Sequence, residues 1–218
     1  MIYEFPTIDE PIRQGDIFVG LPRVDVSLEH VLVVENDATY EQSWADIAQA
    51  NAQIQAIFPV RPVSAIVLTQ DCDAIRAADI SLCEIRPFGE VDGATKNAVN
   101  AKNSPKAWAN MITQQARKNL KWFYLPPDAR LTFSEKMAAD FQVTIRVPGP
   151  DLRMMRVLRK GRLNTEADEH FRERLSEFFR RYPYDEWYPL NRAEFDEYRK
   201  EFTDVEPRTW QSDSSTSE

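Results

Sequence analysis

The stretch Gln70-Asp71-Cys72-Asp73 sets two carboxylates around a thiol, directly after the apolar run Ala65-Ile66-Val67-Leu68. Three chemistries suit such a group. Cys72 is a nucleophile if a neighbouring cation lowers its pKa, but the flanking aspartates oppose a thiolate. The two histidines, His30 and His170, are distant in sequence as bases. Asp71 and Asp73, with Glu84, offer hard oxygen ligands of the kind that hold Mg²⁺ or Mn²⁺. In the third reading the aspartates only hydrogen-bond backbone amides where a strand turns, and Cys72 is a small buried group. Zinc would need more than Cys72 and Cys83, which lack Cys-x-x-Cys spacing and a histidine partner. Neither a metal nor a cofactor is expected.

A second concentration of chemistry is RMMRVLRKGR, from Arg153 to Arg162. Taken as a strand turning at Lys160-Gly161, it puts Arg153 and Arg156 on opposite faces. Arg153, Arg156, Arg159, Lys160 and Arg162 are the expected nucleic-acid-binding set, because cations at a strand-loop edge contact phosphates without reading sequence. The competing reading is a solvated edge. Trp122-Phe123-Tyr124 and the aromatics between Tyr182 and Leu190 would stack on bases or pack in a core.

The elements that must carry these groups follow from periodicity. GDIFVGLP, HVLVVEN, VSAIVLTQ, ISLCEIRPF, KWFYL, RLTF, FQVTIRV and LRMMRVL have the branched and aromatic residues of strands. In ISLCEIRPF, Ile80 and Leu82 share one face with Glu84, and Ser81, Cys83 and Ile85 share the other. Residues 40–57 repeat Trp44, Ile47, Ala48, Ile54 and Ile57 at helical spacing, which predicts a helix, or a partly helical insertion, ended by Pro59 and Pro62. Residues 89–103 are polar and Gly/Asn-rich, a loop, and Ser104-Pro105 opens a helix. Asn164-Thr165 starts a helix with the stripe Phe171, Leu175, Phe178, Phe179 and Tyr182, and a shorter helix covers 191–202.

Composition bounds the whole. The 218 residues suffice for one sizeable core, and six glycines against fourteen prolines argue against a Gly-rich nucleotide-binding architecture. No apolar run approaches the roughly 20 residues of a membrane span. The acidic, proline-punctuated N-terminus is unlike a targeting peptide, and two cysteines are too few for a disulfide framework, so a reduced, cytoplasmic setting is expected. Net charge is -8, yet residues 102–181 carry a balance of +8 between acidic flanks of -10 and -6. That asymmetry suits an anionic partner, or acidic and basic halves facing each other within one fold.

RQGDIF followed by RPVSAIVLT resembles the opening of the MazF/PemK/Kid family of toxin endoribonucleases. The late segment, from ADFQVTIRV through RVLRKGRLNTEADEHFRERLSEFF, resembles the family's ending. The resemblance implies a mainly β fold, an SH3-type antiparallel barrel with inserted helices and C-terminal amphipathic helices, and a homodimer. It makes Arg61 the arginine that stabilises charge on a cleaved phosphate. Gln70-Asp71-Cys72-Asp73 is not part of the family's pattern, and Asp71, Cys72 and Asp73 are expected to line the pocket as further catalytic candidates from their own chemistry. The family's second catalytic position, a Thr or Ser ending a following strand, has no counterpart in SLCEIRPF. The expected layout is one domain over 1–203, with insertions at about 37–60 and 89–120 and a disordered acidic, Ser-rich tail over 204–218. The expected function is to bind or cleave RNA, in a bacterial toxin–antitoxin or phage-defence-like setting. The alternative is a partner-binding module that binds another protein and has no nuclease activity.

Overall fold

The computed structural model describes residues 2–36, 38–51, 53–91, 120–180 and 200. By its contacts the chain divides into Met1–Phe178 and Phe179–Glu218, and the strands all lie in the first unit. The elements are β1 (Tyr3–Glu4), β2 (Asp16–Val24), β3 (Val31–Glu35), β4 (Ala38–Gln42), α1 (Trp44–Ala50), β5 (Gln55–Ile57) and β6 (Val60–Val67). They continue with α2 (Asp71–Ala74), β7 (Asp79–Pro87), α3 (Phe88–Val91), β8 (Trp122–Leu125), β9 (Met137–Pro148), α4 (Gly149–Met154), β10 (Arg159–Leu163) and α5 (Thr165–Phe179).

The chain is mainly β, and every strand pairing is antiparallel. Seven strands form one sheet in the order β1-β10-β2-β6-β7-β9-β8, and three form another in the order β4-β3-β5. The expected barrel is not closed: β1 and β8 are the two edges of the large sheet and do not pair with each other. Alternation along the central strands explains why. Ile17, Ile66, Cys83 and Ile85 enter one core cluster, while Phe18, Val63, Ala65, Val67, Ile80 and Leu82 enter a second. A small barrel has a single interior, whereas this sheet has a core on each face.

One backbone device sets that alternation. Phe18 and Leu21 are three residues apart, which puts them on opposite faces of a regular strand. Both nonetheless lie in the second core. The register of β2 on β6 shifts between Val19 and Leu21, and Gly20 between them has φ +87°. This bulge reverses the facing of the strand's second half, and glycine takes that φ without a Cβ clash.

α5 covers the first core. Asn164 Oδ1 accepts from Ala167 N at 2.9 Å and caps the helix. Phe171, Leu175 and Phe178 follow at i, i+4 and i+7, and Phe171 meets Phe123 and Phe141 edge-on at ring separations of 5.3 and 5.6 Å. Phe179, expected on the same stripe, is exposed. The second core is closed by Leu152 of α4 and Ala74 of α2.

Several local expectations are corrected. Of the two forms predicted over residues 40–57, the structure has the partly helical insertion and not the continuous helix: a strand, two turns of helix and a strand. Ser43 caps α1, and Asn51 at φ 47° ends it. The flanking residues pair with β3 on both sides, and that pairing overrides the helical propensity of the alanines and glutamines. The strand predicted at LRMMRVL is α4 plus a 3₁₀ turn at Arg156–Leu158, begun by a proline whose fixed φ suits a first helical turn. RLTF is a 3₁₀ turn, Ala129–Leu131, capped by Asp128. The polar turn after β6 is the single helical turn α2. The predicted helices over 104–120 and 191–202, the loop beyond Val91, the aromatics of 182–190 and the tail over 204–218 lie outside the described residues, apart from Leu120 and Lys200. Among the described residues no helix is long and apolar enough to cross a membrane.

Candidate functional site

The basic stretch divides by depth. Arg159 and Arg162 point inward from β10 onto Asp16, the first residue of β2, which is fully buried. Arg159 Nη1 donates to Asp16 Oδ2 at 3.0 Å, and Arg162 Nε donates to Oδ1 at 2.5 Å. Other donors of the pair reach the carbonyls of Thr7, Glu10 and Pro11, at 2.6 to 3.0 Å, and Arg162 Nη1 donates to the Glu10 carboxylate at 3.3 Å. Two guanidiniums thus staple the N-terminal loop to the sheet, and the carboxylate between them makes burial of both charges tolerable. Neither arginine has a surface to offer a phosphate.

Arg61 sits at the opposite end of β2 and β6. It faces Arg23 across the strand pair, and two carboxylates bridge them. Arg61 donates to Glu84 through Nη1 at 2.9 Å and to Asp25 through Nε at 3.1 Å. Arg23 reaches the same two acids. Glu84 is buried, so it is held by two cations and is not available to a metal. Arg61 and Val67 are six residues apart along one strand, about 20 Å at the rise of a β-strand. The structure therefore does not bring Arg61 together with Asp71, Cys72 and Asp73.

Around Asp71 it assembles something the sequence did not announce. Asp71 Oδ1 accepts from the backbone N of Gln14 at 2.9 Å, and Oδ2 accepts from Arg172 of α5 at 3.1 Å. Arg172 also pairs with Asp168 at 2.8 Å. Asp168 Oδ1 is buried without a hydrogen-bond partner. Burial, with Asp71 and Asp16 adding like charge, pushes the Asp168 carboxyl up to about 6, against the pull of Arg172 and Arg162. A Cβ on Gly15, at φ +79°, would stand 2.9 Å from that same Oδ1. Both cysteines are free: Cys72 is exposed, and Cys83 is buried in the first core, where burial pushes its thiol well up. Asp73 pairs only with Arg76, at 3.1 Å. Among the described residues no cluster of His, Cys, Asp or Glu could hold a metal ion.

Of the rest of the basic stretch, Lys160 is exposed and Arg153 and Arg156 are half-buried. Arg153 and Arg156 donate to the carbonyls of Ala74, Ala77, Asp9 and Arg153, and Lys160 donates to that of Val157. Among the described residues none of these three cations pairs with a carboxylate. Between them stand Met154, Met155 and Val157, exposed by 75, 49 and 59 %. Arg153, Met154 and Arg156 line a cleft of about 460 Å³ with Ile8 and Asp9. Cations around an apolar centre rich in methionine have the composition of a protein-binding surface. The signal for it was the apolar Met-Met and Val set within a basic run. The signal for Asp168–Arg172 was an acid and an arginine four residues apart on one helix. Trp122 and Phe123 are buried, with Trp122 edge-on to Phe88 at 4.7 Å, so they belong to the core and not to a stacking platform.

Comparison of the chain with protein families, with curated proteins and with solved structures finds no match.

Proposed function

We propose that the chain is a non-enzymatic partner-binding module whose binding surface is the exposed face of α4 and the following turn. One observation carries the reading: Met154, Met155 and Val157 stand exposed among three cations that, among the described residues, pair with no carboxylate. Catalysis through Arg61 has less support, because its guanidinium is occupied by Asp25 and Glu84 and lies about a strand's length from the other candidates.

The test is a photo-crosslinking side chain placed at Met154 in the full chain, expressed in bacteria, with total RNA followed in parallel. Protein adducts at this position with intact RNA are expected. Absence of any protein adduct would remove the reading. The resemblance to MazF-like toxins, and to their SH3-type barrel, keeps a second reading, RNA binding or cleavage. Arg153, Arg156 and Lys160, which among the described residues bond only to carbonyls, favour it. It predicts RNA adducts at position 154, or RNA fragmentation that Arg61→Ala abolishes.

A further inference from the structure

α1 is too short for the sheet it covers. Its seven residues rise about 10 Å as a helix, and the five residues of β3 extend about 17 Å. Ile47 packs on Val31 and Val33, on the face of the three-stranded sheet that looks toward α1. By the two-residue period Glu35 lies on that same face. The register adds Tyr40, opposite Val33, and Gln42, opposite Val31. Glu35, Tyr40 and Gln42 wall a cavity of about 590 Å³, whose apolar lining includes Val33, Ile47 and Ile54. Small-molecule pockets typically enclose about 300–1,000 Å³ and set a few converging polar groups on an apolar lining.

The wall carries one charge. Tyr40 Oη donates to Glu35 Oε2 at 3.2 Å. That bond uses the phenol proton, so the phenol oxygen is left as an acceptor. Among the described residues Glu35 Oε1 accepts no hydrogen bond and Glu35 pairs with no cation. Glu41, one residue beyond Tyr40, faces the other side of the sheet and is taken by His30 at 2.6 Å. No lysine or arginine lines the cavity, and residues 24–60 contain none. An anion would meet this carboxylate with no cation beside it, and a neutral molecule would leave the charge unanswered. An ammonium donates three hydrogen bonds and accepts none, which suits a wall of acceptors. We propose that this cavity binds a small organic amine, its ammonium between Glu35 and the Tyr40 oxygen and its apolar body on Val33, Ile47 and Ile54. The site belongs to the small sheet and does not depend on the reading of the α4 face.

The probe is phenethylamine, an ammonium on a short arm with an apolar ring, titrated into the full chain at neutral pH. Phenethyl alcohol is its neutral counterpart and hydrocinnamate its anionic one. Backbone amide signals are followed by NMR. Saturable shifts centred on β3, β4 and α1 are expected for the amine alone, with a Kd of about 1 mM or tighter. Glu35→Gln keeps the shape and removes the charge. It is expected to weaken binding about tenfold, the low end for a hydrogen bond to a charged group, because the rim is open to water. Gln42→Glu adds a second carboxylate to the wall and is expected to tighten binding. The two variants move the affinity in opposite directions, which a loss of fold does not produce.

The absence of a saturable shift at about 10 mM amine, roughly tenfold above the expected Kd, would overturn the proposal. So would equal shifts from the alcohol, or an affinity indifferent to Glu35→Gln. Tighter binding of Nα-acetyl-lysine amide than of the free amine would also overturn it, in favour of a lysine presented by a peptide chain.

Discussion

β2 carries an arginine–carboxylate network at each end, built from the same side chains in opposite surroundings. At its start, Asp16 is sealed between Arg159 and Arg162, with both forks filled by carbonyls of the N-terminal loop. Near its end, Arg23 and Arg61 share Asp25 and Glu84, and Arg61 remains 45 % exposed. Water reaches Asp25 and both arginines of the second network, though not the buried Glu84, and is excluded from the first. Loss of one arginine is therefore tolerable at the second end, where the other still holds Glu84, while loss of Asp16 leaves two buried charges at the first. What a salt bridge does here follows from its depth, not from its members.

The contrast is broken most directly at Asp16. Asp16→Ala leaves two buried guanidiniums facing each other and is expected to cost about 3–5 kcal/mol, read by urea denaturation. A loss below about 1 kcal/mol would place Asp16 in the class of exposed pairs.

Asp168 gives the next largest effect, with the opposite sign. Its carboxyl is raised from 3.8 to about 6, so between these values the folded chain holds a proton that the unfolded chain has released. Its stabilising contribution is complete below about pH 4 and is lost as the pH rises through 6. Asp168→Asn is expected to raise stability at pH 7 by up to about 3 kcal/mol, the pull of Arg172 being already counted in the shift. It should also flatten the dependence between pH 4 and 6. Unchanged slopes in pH-dependent thermal melts would show that Asp168 does not exchange its proton on folding.

At the exposed network, Arg61→Ala is expected to cost about 1 kcal/mol in the same urea measurement, since Arg23 still holds Glu84. A loss comparable to that of Asp16→Ala would erase the distinction between the two ends. The smallest effect is expected at the α4 face. Met154→Glu should leave stability within about 0.5 kcal/mol and change only association. The cysteines sharpen the depth argument further. Cys72 should alkylate in the native state and Cys83 only after unfolding, as mass spectrometry of timed iodoacetamide reactions will show.

Periodicity made much of this fold readable in the residues. Alternation in ISLCEIRPF assigned Ile80 and Leu82 to one core and Cys83 and Ile85 to the other, and the spacing of Phe171, Leu175 and Phe178 located the buried stripe of α5. Elsewhere local signals competed. The alanines and glutamines of 40–57 favour a helix, yet pairing with β3 decides for strands on both sides of α1. Met154, Met155 and Val157 suggest a strand, but the proline in the first turn of α4 starts a helix. The barrel was inferred from dipeptides in order, which say nothing about whether two edge strands meet. The site was less legible still. Five cations between Arg153 and Lys160–Arg162 look alike in sequence, and only the position of Asp16, 143 residues before Arg159, decides which turn inward. Asp71 meets Arg172 across 101 residues, a distance no local pattern spans.

The separation of Asp16 from Arg162 by 146 residues has a consequence for synthesis. At about 5–20 residues per second, the ribosome needs roughly 7–30 s to deliver Arg162 after Asp16 has emerged. From the emergence of β6 (Val60–Val67) until that of β10, β2 has one strand neighbour and its other edge lacks β10. The nascent chain thus carries an open strand edge beside an uncompensated acid. The acid, held at the entrance of the strand, hinders another chain from completing the edge first.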